Sequence, residues 1–222
     1  MLVMSGLGVR LGLWSFGTGF AILHWAAYGG LAVAACAIVA LAIPKIRSAA
    51  VGGLVLSIAL GLGVAYLPWH WNQQARTVPP IHDISTDLTD PPAFVAVLPH
   101  RAGAQNPATY GGPEVTAAQR KGYPDIQPLE LAVAPEVAYA RALAAAQAMG
   151  WELVAADAAG GRIEATATTL WFGFKDDVVV RVRPAAMGSR IDLRSVSRVG
   201  KSDVGTNAKR VRAYLAKVAG QR

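Results

Sequence analysis

His82, Asp83 and Asp87 are the residues whose types and spacing come closest to a chemical group. An imidazole beside two carboxylates can hold a metal ion or exchange protons with a substrate. A protein metal site usually draws on three or four protein ligands, and His70 and His100 stand apart in sequence. Aspartates in an extended segment equally suit Asx turns and caps, accepting hydrogen bonds from nearby backbone N–H groups. Arg181 extends the set, because it alternates with valines on a strand and so lies on that strand's charged side. A second group precedes the last helix. Ser202 lies at the helix N-terminus, with Lys201 and Arg198 just before it, a place where an anion or a simple cap can sit. The candidate polar or anion site is therefore His82, Asp83, Asp87, Arg181, Arg198, Lys201 and Ser202. No residue is assigned as catalytic, cofactor-binding or metal-ligating.

Other chemistries fit less well. The G-x-S-x-G nucleophile elbow is absent, and Ser195 and Ser197 fall within a predicted strand. Ser195 to Ser202 reads S-x-x-x-x-G-K-S, but serine replaces the first glycine of a phosphate loop, and the strands imply an antiparallel sheet. The single cysteine, Cys36, excludes an internal disulfide and lies in an apolar run, where it reads as a packing residue.

The elements around these residues divide into two unlike parts. Hydrophobic residues make up 53% of the 222-residue chain and charged residues only 16%, against about 25% in soluble domains. Residues 1–75 carry Arg10, Lys45 and Arg47 and no acidic residue. Residues 11–44 contain no charge at all, and as one helix would extend about 51 Å, too long for a hydrocarbon core of about 30 Å. The expected anchor is residues 1–71, with an interfacial segment at 10–20 and spans at about 22–43 and 49–67. The alternative is a third span near residues 4–20. Pro44-Lys45-Ile46-Arg47 forms the turn between the two spans, and its basic residues favour the cytoplasmic side. Trp25, Tyr28, Tyr66, Trp69 and Trp71 would then form one outer aromatic belt.

Residues 72–222 read as an extracytoplasmic α+β domain. Its first part, 72–128, is proline-rich and extended, with a short strand expected near Ala93–Leu98 and no long helix. Pro135 to Met149 reads as a helix stopped by Gly150. Strands follow at about 151–157, 162–172, 178–183 and 190–199, with Lys175-Asp176-Asp177 as a turn. Asp203 is the expected N-cap of a last helix whose apolar stripe is Val204, Ala208, Val211, Leu215 and Val218. The fold class is thus two transmembrane helices followed by an antiparallel sheet of four strands, or five with 93–98, and two helices on one face.

Several segments together resemble a known family. They are Pro80-Ile81-His82-Asp83-Ile84-Ser85-Thr86-Asp87, Asp90-Pro91-Pro92, Tyr123-Pro124-Asp125-Ile126, Met149-Gly150-Trp151 and Asp176-Asp177-Val178-Val179-Val180-Arg181. Arg194-Ser195-Val196-Ser197-Arg198 through Asp203, Gly205 and Asn207 completes the set. The pattern resembles the bacterial and plastid family called domain of unknown function 1499, over about residues 78–219. The resemblance implies a shared fold, and a membrane-anchored form like proteobacterial members. It brings no activity, cofactor or catalytic residue.

The leading expectation is a bacterial inner-membrane protein with residues 72–222 on the periplasmic side. It would act as an accessory or scaffold subunit, in contact with membrane lipids and a membrane or envelope protein. Two alternatives stand beside it. One is an envelope enzyme or small-ligand module using His82–Asp87. The other is anionic-lipid binding, since residues 190–222 hold nine basic and two acidic residues. Nucleic acid is not expected, as no recognition motif is present.

Overall fold

The computed structural model describes residues 1–220. The basic Arg222 counted above lies outside them. The described chain forms two compact units, one of residues 1–77 with 170–173, the other of residues 78–169 with 174–220.

The first unit is helical. Helix α1 (Leu2–Arg10) is nine residues long and rises about 14 Å, well short of a bilayer core. Helix α2 (Phe16–Leu41) is capped by Ser15, whose hydroxyl accepts a bond from the Thr18 N–H (3.2 Å). It runs through Gly29-Gly30 without a break. Pro44 begins α3 (Pro44–Thr77) rather than forming a loop, and the helix is kinked at Ala50 (φ −140°). Both α2 and α3 are long and apolar enough to cross a membrane. They pack closely where small residues meet: a methyl group on Gly30 or Gly61 would collide with the other's carbonyl oxygen. Leu170–Gly173 belong to this unit. The Trp171 indole donates to the Val3 carbonyl (3.0 Å), and Phe172 lies against Phe20 (5.2 Å between centroids).

The second unit is a six-stranded antiparallel sheet with helices packed on it. The elements are β1 (Asp83–Ser85), α4 (Gly112–Gly122), β2 (Leu129–Leu131), α5 (Pro135–Ala148), β3 (Glu152–Asp157), β4 (Arg162–Thr168), β5 (Lys175–Ala185), β6 (Gly188–Ser197) and α6 (Thr206–Val218). The order is β1-β6-β5-β4-β3, with β2 also pairing β6. Six strands replace the expected four or five, because two three-residue strands, β1 and β2, each pair with β6.

Alternation gives the sheet two different faces. Ile163, Ala165, Val178, Val180, Val182, Ile191 and Leu193 meet α5 and α6 in the main core. Helix α5 presents Ala138, Ala142, Ala145 and Ala146 to it, while Val137 is 46% exposed. Alanines let the helix approach the sheet, and Tyr214 of α6 fills the depth, stacking on Trp151 (5.0 Å between centroids).

Three local expectations are corrected. Residues 93–98 are not a strand. Prolines flank them, and Leu98–Arg101 forms a single 3-10 turn. Helix α4 lies within the proline-rich stretch because Pro113 stands in its first turn, where no amide donor is needed. Its Gln119 is buried and closes the edge of β1, bonding both the N–H (3.0 Å) and the carbonyl (2.6 Å) of Ser85. Lys175-Asp176-Asp177 is not a turn but the start of β5, because both aspartates find arginine partners and can be buried.

Candidate functional site

The second face of the sheet carries the charged residues. Here β5 presents Asp177, Arg181 and Arg183, β6 presents Arg190, Asp192 and Arg194, and β4 presents Glu164 and Thr166. Read as a sequence, Arg181, Arg183, Asp192 and Arg194 are outward-facing polar positions. In the fold, residues 86–110 lie across them, with Phe94 and Val97 packed on Val179 and Val196. Asp177, Asp192 and Glu164 have no solvent exposure and Arg194 has 2%. Charges removed from water must be paired and hydrogen-bonded, since an orphaned one would be strongly destabilising. Four clusters give each buried carboxylate its partners, while Nε of Arg101 and of Arg181 is buried without a hydrogen bond among the described residues.

Asp83 of β1 and Arg194 of β6 form a two-point pair, Nε to Oδ1 at 2.9 Å and an NH2 to Oδ2 at 2.7 Å. The remaining Arg194 donors reach the carbonyls of Pro92 (3.3 Å) and Ala108 (2.9 Å). The guanidinium lies between the rings of Phe94 (5.2 Å) and Tyr110 (5.3 Å), so cation–π attraction adds to the ion pair.

Asp177 accepts from Arg101 (2.5 Å), from two nitrogens of Arg198 (2.8 and 2.9 Å) and from the Thr166 hydroxyl (2.8 Å). Arg101 belongs to the 3-10 turn, so this carboxylate ties the wrap to the sheet.

Glu164 works without an arginine bond as its main partner. Its carboxylate accepts the backbone N–H groups of Val95, Ala96 and Val97 at 2.9–3.1 Å. Three successive amides pointing at one anion form a backbone nest, and an internal side chain fills it. This is why residues 93–98 form no strand: their donors serve a carboxylate rather than a neighbouring chain.

The fourth cluster joins Asp87, Asp90 and Asp192 with Arg181, Arg183 and Arg190. Asp87 Oδ2 accepts from all three arginines (2.9–3.3 Å), and Asp192 also bonds all three (2.9–3.1 Å). Asp87 Oδ1 accepts the N–H groups of Thr89 (3.0 Å) and Asp90 (2.9 Å), an Asx turn. Burial pushes the Asp87 carboxyl up, but the Asp90 and Thr89 amides with Arg190 and Arg181 outweigh it, and its pKa lies below the ordinary value.

On the helix-facing side, Asp176 pairs with Arg210 (2.6 Å). Arg210 also bonds Asn207, whose amide donates to the His82 carbonyl (3.0 Å) and the Ser197 hydroxyl (2.9 Å). Ser195 donates to Asn207 (2.7 Å), so this serine is a structural link. Helix α6 begins at Thr206, with Gly205 as N-cap in the left-handed region (φ +80°), two residues later than the expected Asp203. The Asp203 carboxylate still caps the first turn, accepting from Gly205 (2.9 Å) and Asn207 (2.5 Å). Burial raises the pKa of Asp203 above its ordinary value despite these two amides. Burial and Asp203 push the nearby Tyr123 phenol up to about 12.

The seven residues picked from sequence therefore separate. Asp87 and Arg181 meet. Asp83 pairs with Arg194 and Arg198 with Asp177. His82 and Lys201 meet only through the imidazole Nδ1 and the Lys201 carbonyl (3.3 Å), and Ser202 accepts from the Val204 N–H (3.1 Å). Among the described residues, no three His, Cys, Asp or Glu side chains gather as a metal site. Asp90, Arg101, Glu164, Asp177, Arg183, Arg190, Asp192 and Arg194 were missed. The usable signal was present: charged residues alternate with the core aliphatic residues of two strands, Val178, Val180 and Val182 on one and Ile191 and Leu193 on the other.

Two helices able to cross a membrane, then a sheet covered by helices on one face and by a charge-paired wrap on the other, define the class. The chain belongs to the family described as protein of unknown function (DUF1499), whose profile matches residues 83–218. All four charged clusters lie within that match. No curated protein matches the chain.

Proposed function

We propose that this protein is a non-enzymatic accessory or scaffold subunit of a bacterial inner-membrane complex, acting through an α+β domain on the periplasmic side. One observation carries the reading. The buried carboxylates and guanidiniums of the charged sheet face bind one another and the wrap. Catalysis of proton transfer needs a carboxylate or imidazole within hydrogen-bond reach of a substrate. Here Asp83, Asp125 and Arg181 are paired with Arg194, Arg212 and Asp87 respectively. Such a layer fixes a shape, which suits recognition of a partner. Lys45 and Arg47, beside the short link between two long apolar helices, support a cytoplasmic link and a periplasmic domain.

Anionic-lipid binding through the last helix is less favoured, because Arg210 and Arg212 are already paired with Asp176 and Asp125. Protease treatment of spheroplasts tests the sidedness: digestion of residues 78–222 is expected, and their protection in spheroplasts but not in lysed cells refutes it. Native-size measurement and crosslinking in mild detergent test the role. A discrete assembly with a second protein at constant stoichiometry is expected; a chain that always runs alone refutes it.

A further inference from the structure

The arginines beside Asp90 are held differently on their two sides. Arg181 and Arg183 share a face of β5, and Arg190 comes from β6, where it is the register partner of Arg183. Asp87 and Asp192, with side chains 9% and 0% exposed, anchor all three from within. On the solvent side, one oxygen of Asp90 accepts from both Arg181 (3.0 Å) and Arg183 (3.2 Å), and that side chain is 66% exposed. Arg183 itself is 39% exposed. The guanidiniums are thus fixed by buried carboxylates, while the outer carboxylate, itself exposed, is held only by Arg181 and Arg183; the Asp90 carbonyl separately accepts from Arg181 (2.7 Å).

We propose that this fork is an oxyanion subsite, filled in this structure by the protein's own Asp90, which an external phosphate group displaces. Exposed ion pairs contribute little, so Asp90 is cheaply removed. The arginines stay in place when it leaves, because Asp87 and Asp192 still bind them. Arg181 and Arg183 then lose their outer carboxylate and keep only the buried Asp87 and Asp192. Glu130 lies near Arg190 and opposes anions there, so the open side is at Arg181 and Arg183. A phosphate offers more acceptor oxygens and more charge than one aspartate, and two NH groups pointing at a common spot suit it. Its source is either free phosphate or a lipid headgroup, which present the same chemistry.

The test uses the purified full chain in detergent, with inorganic phosphate as probe and ionic strength held constant with sodium chloride. Phosphate is expected to raise the thermal midpoint of the wild type more than chloride does. Asp90→Asn should respond at roughly two- to five-fold lower phosphate, the range set by the strength of an exposed ion pair. Arg183→Gln should lose the response. Equal responses to phosphate and chloride in both wild type and Asp90→Asn overturn the proposal, as does an unchanged phosphate response in Asp90→Asn. That variant touches only an exposed side chain, so the comparison stands even if Arg183→Gln does not fold. Nanodiscs separate the sources. Stabilisation of Asp90→Asn by phosphatidic acid over phosphatidylcholine, without added phosphate, marks a headgroup, and stabilisation by added phosphate alone marks the free ion. The subsite goes beyond the interaction role and fails separately: stable partner association without a phosphate response would remove the subsite and leave the role intact.

Discussion

Glu164 offers the sharpest test of how the wrap is held. It is fully buried and accepts three backbone N–H groups. Hydrogen bonds to a charged group contribute about 1.5–3 kcal/mol each, which sets an upper limit for Glu164→Ala of about 9 kcal/mol. Not all of it is lost. Val95 is 51% exposed and Ala96 half-buried, so water can reach those two amides once the carboxylate is gone. Val97 has no exposure, and its N–H would remain sealed without a partner. Arg162, whose Nε lies 3.1 Å from Glu164, would lose its nearest carboxylate. The expected cost is about 3–5 kcal/mol, the range for breaking a buried charged contact. Hydrogen exchange on the full chain in detergent reads it directly. Three kcal/mol of lost local stability accelerates exchange about 100-fold, and this should appear in residues 95–97. Acetate added to Glu164→Ala should restore part of the protection by re-entering the nest. Unchanged exchange at 95–97, with less than about 1 kcal/mol lost overall, would refute the nest as the clamp.

Two further outcomes follow from the same geometry. Arg194→Lys keeps the charge but loses the two-point pair with Asp83 and the fit between two rings; denaturant unfolding should show a loss of about 2–3 kcal/mol, and a neutral result would mean the pair is ornamental. Asp203 has a folded-state pKa raised by burial above its ordinary 3.8, so its contribution is complete below that pH and is lost as pH rises through the folded value. The stability of wild type relative to Asp203→Asn should therefore fall between pH 3.8 and neutrality, and a difference that grows with pH would contradict the burial argument.

Much of the fold was legible because it rests on local rules. The step-of-two pattern of Val178, Val180 and Val182 gave β5 its core face, and the Pro135 start and Gly150 stop gave α5 its limits. Regions with long charge-free stretches gave two helices fit for a membrane. The family match at 83–218 agrees with the segments singled out by sequence. The errors share a cause. Lys175-Asp176-Asp177 read as a turn because two adjacent aspartates imply exposure, yet Arg101, Arg198 and Arg210 come from distant segments to neutralise them. Residues 93–98 read as a strand because Phe94, Val95 and Val97 suit one, yet Glu164, far along the chain, takes their amides.

The sequence by itself determined which residues alternate, where helices start and stop, and which third of the chain is apolar enough for a membrane. Those properties depend on near neighbours, whose periodicity is written along the chain. Tertiary structure alone decided the partners: that Asp83 meets Arg194 rather than His82, that Asp87 gathers three arginines, and that the charged face is covered. Pairing across 100 or more residues, as between Asp87 and Arg190 (103 apart), depends on which surfaces the fold brings together. Burial then makes that pairing obligatory, because a charge left without its partner would outweigh the stability that the covering wrap provides.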